Sequence, residues 1–281
     1  MMPNPKRRPI APSGAELDAD EDASVVRGNF ARHARIEKLI RERGFVTIGA
    51  LSEQLGVTVQ TIRRDLGELS DAGRITRFHG GAGLPSSIQN IDYSARKILN
   101  IKEKQKIAHL VAEHIPANSS LFINIGTTTE AVARALLRHQ GLRFITNNLN
   151  VATLVETNSD LQVIVTGGVV RNRDGGIVGQ AACDMISQFR VDYGVIGISG
   201  IDSDGTLLDY DYDEVRAAQA IMKNSRHVFL VADHTKFSRR PMVRMGSITQ
   251  VSALFTDLPP PEPIRELLAS NQLGLHIVSG D

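Results

Sequence analysis

TVQTIRRDL, Thr58 to Leu66, reads as a helix with two faces. Val59, Ile62, Leu66 and Leu69 recur at spacings of three, four and three, which lines them along one side. Gln60 and Arg64 point the opposite way, with Thr61 and Arg63 flanking them. A helix that docks an apolar stripe inward and holds Gln, Thr and Arg outward offers the side chains that read base edges and grip phosphates. The residues just before it sharpen this reading. Thr58 suits an N-cap, because its hydroxyl can accept from a free first-turn amide, and Gly56 suits the left-handed end of an earlier helix. Val57 and Ile62 are spaced for a hydrophobic staple. The same grammar occurs one helix back, with Val46, Thr47 as cap and Leu51. Two short capped helices meeting at Leu55-Gly56-Val57 make a helix-turn-helix.

Working outward, a helix over about 30–43 puts Ile36, Leu39 and Ile40 on one face. Arg32, Arg35, Lys38, Arg41 and Arg43 fill the remainder, and Gly44 ends it. Gly73 stops the second helix of the pair. Arg74 to Leu84, RITRFHGGAGL, reads as a basic two-stranded ribbon with a Gly-Gly turn. Three helices followed by such a ribbon make a winged helix over residues 27–84. From Arg27 to Ala82 Lys and Arg outnumber Asp and Glu, the local polarity that phosphate binding needs. The DNA-contact candidates are Thr47, Thr58, Gln60, Thr61, Arg63, Arg64, Arg74, Arg77 and His79. Gly67, on the outer face of the reading helix, is open to two readings. It lets a DNA backbone approach, or it is a surface glycine tolerated at about 1 kcal/mol.

The rest of the chain sets bounds. Its 281 residues allow two domains, and 42% hydrophobic with 22% charged residues is ordinary globular composition. The formal net charge is +1, so DNA affinity must come from local clustering. One cysteine, Cys183, excludes an internal disulfide framework and fits a reducing cytoplasm. No stretch reads as a signal peptide or membrane span, and the eight histidines show no ligand-like pairing, so neither a metal nor a cofactor is expected. Residues 1–26 hold four prolines, a basic Lys6-Arg7-Arg8 and an acidic run from Glu16 to Asp22, a composition that reads as a disordered tail. Residues 85–100 read as a linker running into a helix.

From Ile101 to the end, short β-branched runs alternate with helical ones: LFINI (121–125), RFIT (143–146), QVIVT (162–166), YGVIGIS (193–199), HVFLVA (227–232), SALFT (252–256) and GLHIV (274–278). That alternation predicts a Rossmann-like α/β domain over 101–281 with a parallel sheet covered by helices. In such a sheet, ligands sit at the carboxyl ends of the strands. Small polar residues gather there: Gly126, Thr127, Thr128 and Thr129 opening a helix, Asn147 and Asn148, Gly167 and Gly168 with Arg171, Arg173 and Asp174 beyond, Gly200 and Asp202, Glu214, and Asp233 with Lys236. A Gly-Thr-Thr-Thr helix start is a cradle for phosphate, although it also begins ordinary helices. The convergence suits a small phosphorylated polyol or sugar. Asp202 and Lys236 could also serve as acid and base of a sugar-phosphate isomerase. One winged helix reads few bases, so paired heads in a homo-oligomer, dimer or tetramer, are expected at half-sites roughly 34 Å apart.

These residues carry a resemblance. FVTIGALSEQLGVTVQTIRRDLGEL with RITRFHGGA, and then NIGTTTEAVARALL, ITNNLNVA, TGGVVRNRDGGIVG, GISGIDSDGTL and VADHTKF, resemble the DeoR family of bacterial repressors from about residue 30 to the end. The resemblance implies double-stranded operator DNA as partner. It also implies a sensor domain akin to ribose-5-phosphate isomerase folds, in which a GTTT-like loop grips phosphate. IDSDGTLLDYDYDEVRAAQAIMKNSRHVFLVADHTKF and DLPPP are similar to the members that govern glycerol catabolism, which implies release by sn-glycerol 3-phosphate. Lys236 and Asp202 fall in motifs that the family places around its effector. Two departures stand out: Asn124, where the family usually has Asp, and the tail 1–26, which has no counterpart.

Overall fold

The computed structural model of the chain describes residues 31–43, 45–72, 74–78, 80–83 and 90–279. The tail 1–26 and His79 lie outside the described residues. The chain divides into two compact units, one through Arg77 with Gly81–Leu84, the other Phe78–Gly80 with Pro85 onward.

In the head, helix α1 covers residues 31–43. It is followed by β1 (Phe45–Thr47), α2 (Ile48–Leu55), α3 (Val59–Asp71), β2 (Thr76–Phe78) and β3 (Gly81–Gly83). Ile36, Ile40, Leu51, Ile62, Leu66 and Leu69 form one core with Val46, Ile75 and Ala82. The wing has three strands rather than two. β1 pairs antiparallel with β3, Phe45 opposite Gly83 and Thr47 opposite Gly81. Gly81 permits this pairing, because a Cβ there would collide with the Phe45 ring and the Val46 carbonyl.

The larger unit runs α4 (Tyr93–Ile98), α5 (Ile101–Glu113), β4 (Ser120–Ile123), α6 (Thr127–Leu136), β5 (Arg143–Thr146), α7 (Leu149–Val155) and β6 (Gln162–Val165). Then come β7 (Val169–Val170), β8 (Ile177–Val178), α8 (Gln180–Ile186), β9 (Val191–Gly197), β10 (Gly200–Ile201), β11 (Thr206–Asp209) and α9 (Tyr212–Lys223). It closes with β12 (Ser225–Val231), β13 (Val243–Ser247), β14 (Ala253–Thr256), α10 (Glu262–Ser270) and β15 (Gly274–Ile277). Seven strands build one parallel sheet in the order β15-β14-β12-β9-β4-β5-β6. Both faces are buried, which is why the strands read as continuous apolar runs. Leu121 and Ile123 of β4 enter the core shared with α5, α6 and α7, while Phe122 enters the core shared with α8, α9 and α10.

The chain leaves β4 towards one edge and returns on its other side at β9. The winding therefore reverses between β4 and β9, where a doubly wound sheet opens a crevice at its carboxyl end. A three-stranded antiparallel sheet, β10-β11-β13, and the β7–β8 hairpin are additions that the sequence pattern does not announce. The stretch read as a linker contains α4, and its last residues, Leu99 and Asn100, are buried.

Candidate DNA-reading head and anion pocket

Both helices of the pair are capped as their residues dictate. The Thr47 hydroxyl accepts from the Ala50 amide at 3.1 Å, and the Thr58 hydroxyl from the Thr61 amide at 3.2 Å. Gly56 ends α2 at φ 64°, a left-handed conformation that favours glycine. Ile62, Leu66 and Leu69 face the core, while Gln60, Arg63 and Arg64 are exposed and Thr61 is half-buried. Val59 departs from the expected stripe: it is 41% exposed, because the inward face of α3 begins at Ile62. Asp65 takes an inward place instead and is 2% exposed. Arg32 of α1 grips both its oxygens, at 2.6 and 2.8 Å, so Arg32 belongs to the helix packing and not to an outer basic face. Burial alone would raise the Asp65 carboxyl; hydrogen bonds and charge from Arg32 and His33 outweigh it and hold it below the usual range.

The remaining arginines divide. Arg64 pairs with Glu68 at 3.1 Å in the open, a contact too solvated to fix it. Arg74 pairs with Glu37 at 2.5 Å. Arg77 lies over Gly67, where an added Cβ would come 3.5 Å from its Nη1, so Gly67 gives the wing arginine a bed on the reading helix. Arg63 has no partner among the described residues.

In the larger unit Gly126 to Thr129 follow β4, Asn147 and Asn148 follow β5, and Asp233 and Lys236 follow β12. Gly126 stands at φ 152° before α6, and Thr127, Thr128 and Thr129 form the first turn. First-turn amides have no partner within a helix and carry the positive end of its dipole. The Thr129 hydroxyl donates to the carbonyls of Asn124 and Gly126 at 2.8 Å each, so it shapes the loop. The Asn124 Oδ1 accepts from the Gly197 amide at 3.0 Å and ties β4 to β9 across the crevice. Asn147 donates to the Ile177 carbonyl at 3.0 Å, and its Oδ1 is buried without a partner among the described residues. Asn148 caps α7 through its Oδ1 and donates from Nδ2 to Glu130 at 3.1 Å.

Beyond β12, Asp233 is 2% exposed and accepts from Asn100 at 3.1 Å and from the Thr235 amide at 3.0 Å. Burial would raise its carboxyl, but Lys236, Thr235, Arg239 and Lys104 together bring it down to about 2. Several cations gather around this acid. Burial first, then Arg239, Lys104 and Arg96, lower the Lys236 ammonium to about 7 against the opposing pull of Asp233. Burial lowers Lys104 to about 8, again opposed by Asp233. The Lys104 Nζ donates to the carbonyls of Arg96 and Leu99 at 2.5 and 2.6 Å. Arg239 is 8% exposed, and its Nε is buried with no hydrogen-bond partner among the described residues. Among those residues neither Lys236 nor Arg239 forms an ion pair. Burying an unpaired charge is expensive, and these cations are held by the charges of Asp233, Asp209 and Glu130 without an ion pair to Lys236 or Arg239 among the described residues. Lys104 and Thr127 line one open cavity of about 350 Å³, which puts a cation and the start of α6 on the same space.

Gly200, Asp202 and Glu214 have other duties. A Cβ on Gly200 would come 2.6 Å from the Arg239 carbonyl, so this glycine seats the segment that carries Arg239. Asp202 shapes the β10–β11 turn and pairs with Arg240 at 3.0 Å. Glu214 accepts from Arg171 at 2.8 Å, and Arg171 also holds Asp174 and Asp211 at 2.8 and 2.9 Å. Burial and the neighbouring Asp209 push the Glu214 carboxyl up to about 7. Asp209 is itself buried and feels the charge of Lys236, which links this acidic group to the cationic one.

Residues 32–88 match the DeoR-like helix-turn-helix domain, and residues 99–258 match the DeoR C terminal sensor domain. The chain belongs to the DeoR family. This DeoR-family chain is 53% identical over 246 residues to the glycerol-3-phosphate regulon repressor of Escherichia coli K12, covering 88% of this chain and 98% of that protein. It is 51% identical over 229 residues to the protein of the same name from Haemophilus influenzae, covering 81% and 89%. It is 43% identical over 250 residues to the HTH-type transcriptional repressor CsqR of E. coli, covering 89% and 96%. Among solved structures, ribose 5 phosphate isomerase A from Neisseria gonorrhoeae aligns over 48% of this chain and 53% of its own, with TM-score 0.36 and 14% identity.

Several residues of this cluster escape a reading of strand ends. Lys104 left a signal: it shares the buried stripe of α5 with Ile107, Ala108 and Val111, where a lysine needs a reason. Glu130 gathers Asn148, Asn150 and the Tyr93 hydroxyl, the last at 2.7 Å, and is visible in sequence only as an acid in the first turn of α6. Arg239 and Asp209 left no signal. Among the described residues no helix is long and apolar enough to cross a membrane, and no cluster of His, Cys, Asp and Glu could hold a metal.

Proposed function

We propose that this chain is a transcriptional repressor of glycerol 3-phosphate metabolism genes. It binds double-stranded operator DNA in the cytoplasm, as a homo-oligomer of two or four copies. sn-Glycerol 3-phosphate at the carboxyl ends of β4, β9 and β12 releases it. The first turn of α6 and the cations Lys104, Lys236 and Arg239 receive the phosphate, and no further cofactor is needed. Gln60, Thr61, Arg63 and Arg64 face the major groove, while Arg77 and Arg74 sit against the backbone. The observation that carries the effector half is the cluster of Lys104, Lys236 and Arg239 around Asp233, in which neither Lys236 nor Arg239 has an ion pair among the described residues and the Arg239 Nε is buried without a hydrogen-bond partner. The relatives that bear the name of that regulon support the choice of polyol phosphate.

The test is a titration of operator DNA at fixed salt, using the promoter regions of glycerol-catabolism genes. It is run alone, with glycerol 3-phosphate, and with other phosphorylated sugars. Glycerol 3-phosphate should weaken binding by about 5–150-fold, the usual span of allosteric coupling. Unchanged affinity with every phosphate ester refutes release by this class of effector. A response to a different ester alone corrects the effector and keeps the switch.

A further inference from the structure

We propose that Val59 reads the methyl group of a thymine. The inference rests on the DNA-reading role of α3. Val59 is the first residue of α3 and the one apolar residue of that helix left exposed among the described residues, at 41%. It has no place in the head core, which is completed by Ile62, Leu66 and Leu69. Helix propensity does not explain it either, because a β-branched residue is a weaker helix former than the polar residues common in a first turn. Its position on the helix is informative. At about 100° per residue, Val59 lies about 20° from Leu66 on the core side and about 40° from Arg63 on the other, at the border between the inward and outward faces. The amino-terminal turn of a recognition helix is the part that meets base edges. In the major groove the base edges offer donors, acceptors and one apolar group, the C5-methyl of thymine. An exposed valine beside Arg63 therefore complements thymine, the base whose major-groove edge carries a methyl.

The test uses the full chain and duplexes that it selects itself from a random pool. Each thymine of the selected site is replaced singly by deoxyuridine, which removes only the methyl. At least one position should lose about fourfold in affinity, the effect of one buried methyl-sized group. Val59→Ala should weaken binding to the thymine duplex by a similar factor and show no further loss on the uracil duplex. The exposed site and the helix preference of alanine keep this variant folded. Sequence-selective binding in which Val59→Ala keeps every methyl effect, or loses affinity equally on all duplexes, overturns the inference alone. Enrichment of no sequence at all overturns the DNA-reading role beneath it as well.

Discussion

Replacing Lys236 by methionine should stabilise the effector-free protein while weakening its grip on the effector. The ammonium sits among Arg239, Lys104 and Arg96 with Asp233 as its counterweight, and burial brings it from an ordinary 10.5 down to about 7. That drop corresponds to on the order of 5 kcal/mol against the charged form. The folded value lies below the unfolded one, so between about pH 7 and 10.5 the unfolded chain binds more protons. Stability of the empty protein should thus rise with pH through that window and be least favourable below it. Methionine keeps the apolar stem and removes the charge, so at pH 6 the variant should gain about 1–3 kcal/mol. Effector binding should lose one charged hydrogen bond, about 10- to 100-fold in affinity. Urea unfolding at pH 6 and pH 9, with and without glycerol 3-phosphate, reads both effects, because a ligand stabilises the fold according to its affinity. A variant that loses more than about 1 kcal/mol at pH 6, yet is stabilised by effector as fully as the parent, would refute the reasoning. Lys236 would then be only the counter-ion of Asp233.

Other perturbations follow from the geometry. Asp65→Asn leaves the Arg32 charge without its partner inside the head and should lower stability by about 2–4 kcal/mol at pH 7, seen as a lower urea midpoint. Because the Asp65 carboxyl is held below its unfolded value, the parent's advantage over this variant should be full at neutral pH. It should vanish as acid protonates the group, which acid unfolding of both proteins will show. Gly81→Ala drives a methyl into the Phe45 ring and should cost about 1–3 kcal/mol, with DNA binding lost before effector binding. Arg64→Ala should cost about 1–3 kcal/mol on the selected operator alone if it reads a base. An equal loss on all DNA, with a shallower salt dependence, would make it a phosphate contact.

What the sequence revealed was whatever its neighbours in the chain decide. Caps at Thr47 and Thr58, and strands such as Arg143–Thr146, follow from a few adjacent residues and sit where the pattern puts them. β1 was not legible, because three residues become a strand only when Gly81, far along the chain, clears room for Phe45. Asp202 follows a strand and a glycine in sequence, and in the fold it shapes the β10–β11 turn and pairs with Arg240. Asp209, buried like Asp233, is delivered by β11 of a small antiparallel sheet that the alternation of strands and helices does not announce. The backbone of Arg239 passes so close to Gly200 that a Cβ there would collide with its carbonyl, a contact between residues well separated in sequence. The Gly-Thr-Thr-Thr start of α6 and the reversal of the sheet coincide at β4 and β9, but only the first of these can be read from residue order.

One amino group, that of Lys104, clasps the end of α4 through the carbonyls of Arg96 and Leu99 and also counts among the positive charges around Asp233. Evolution cannot retune it for a more or less charged signal molecule without loosening the same clasp. New specificities in this scaffold should therefore arise elsewhere, with this lysine kept as a fixed hinge pin between tether and signal.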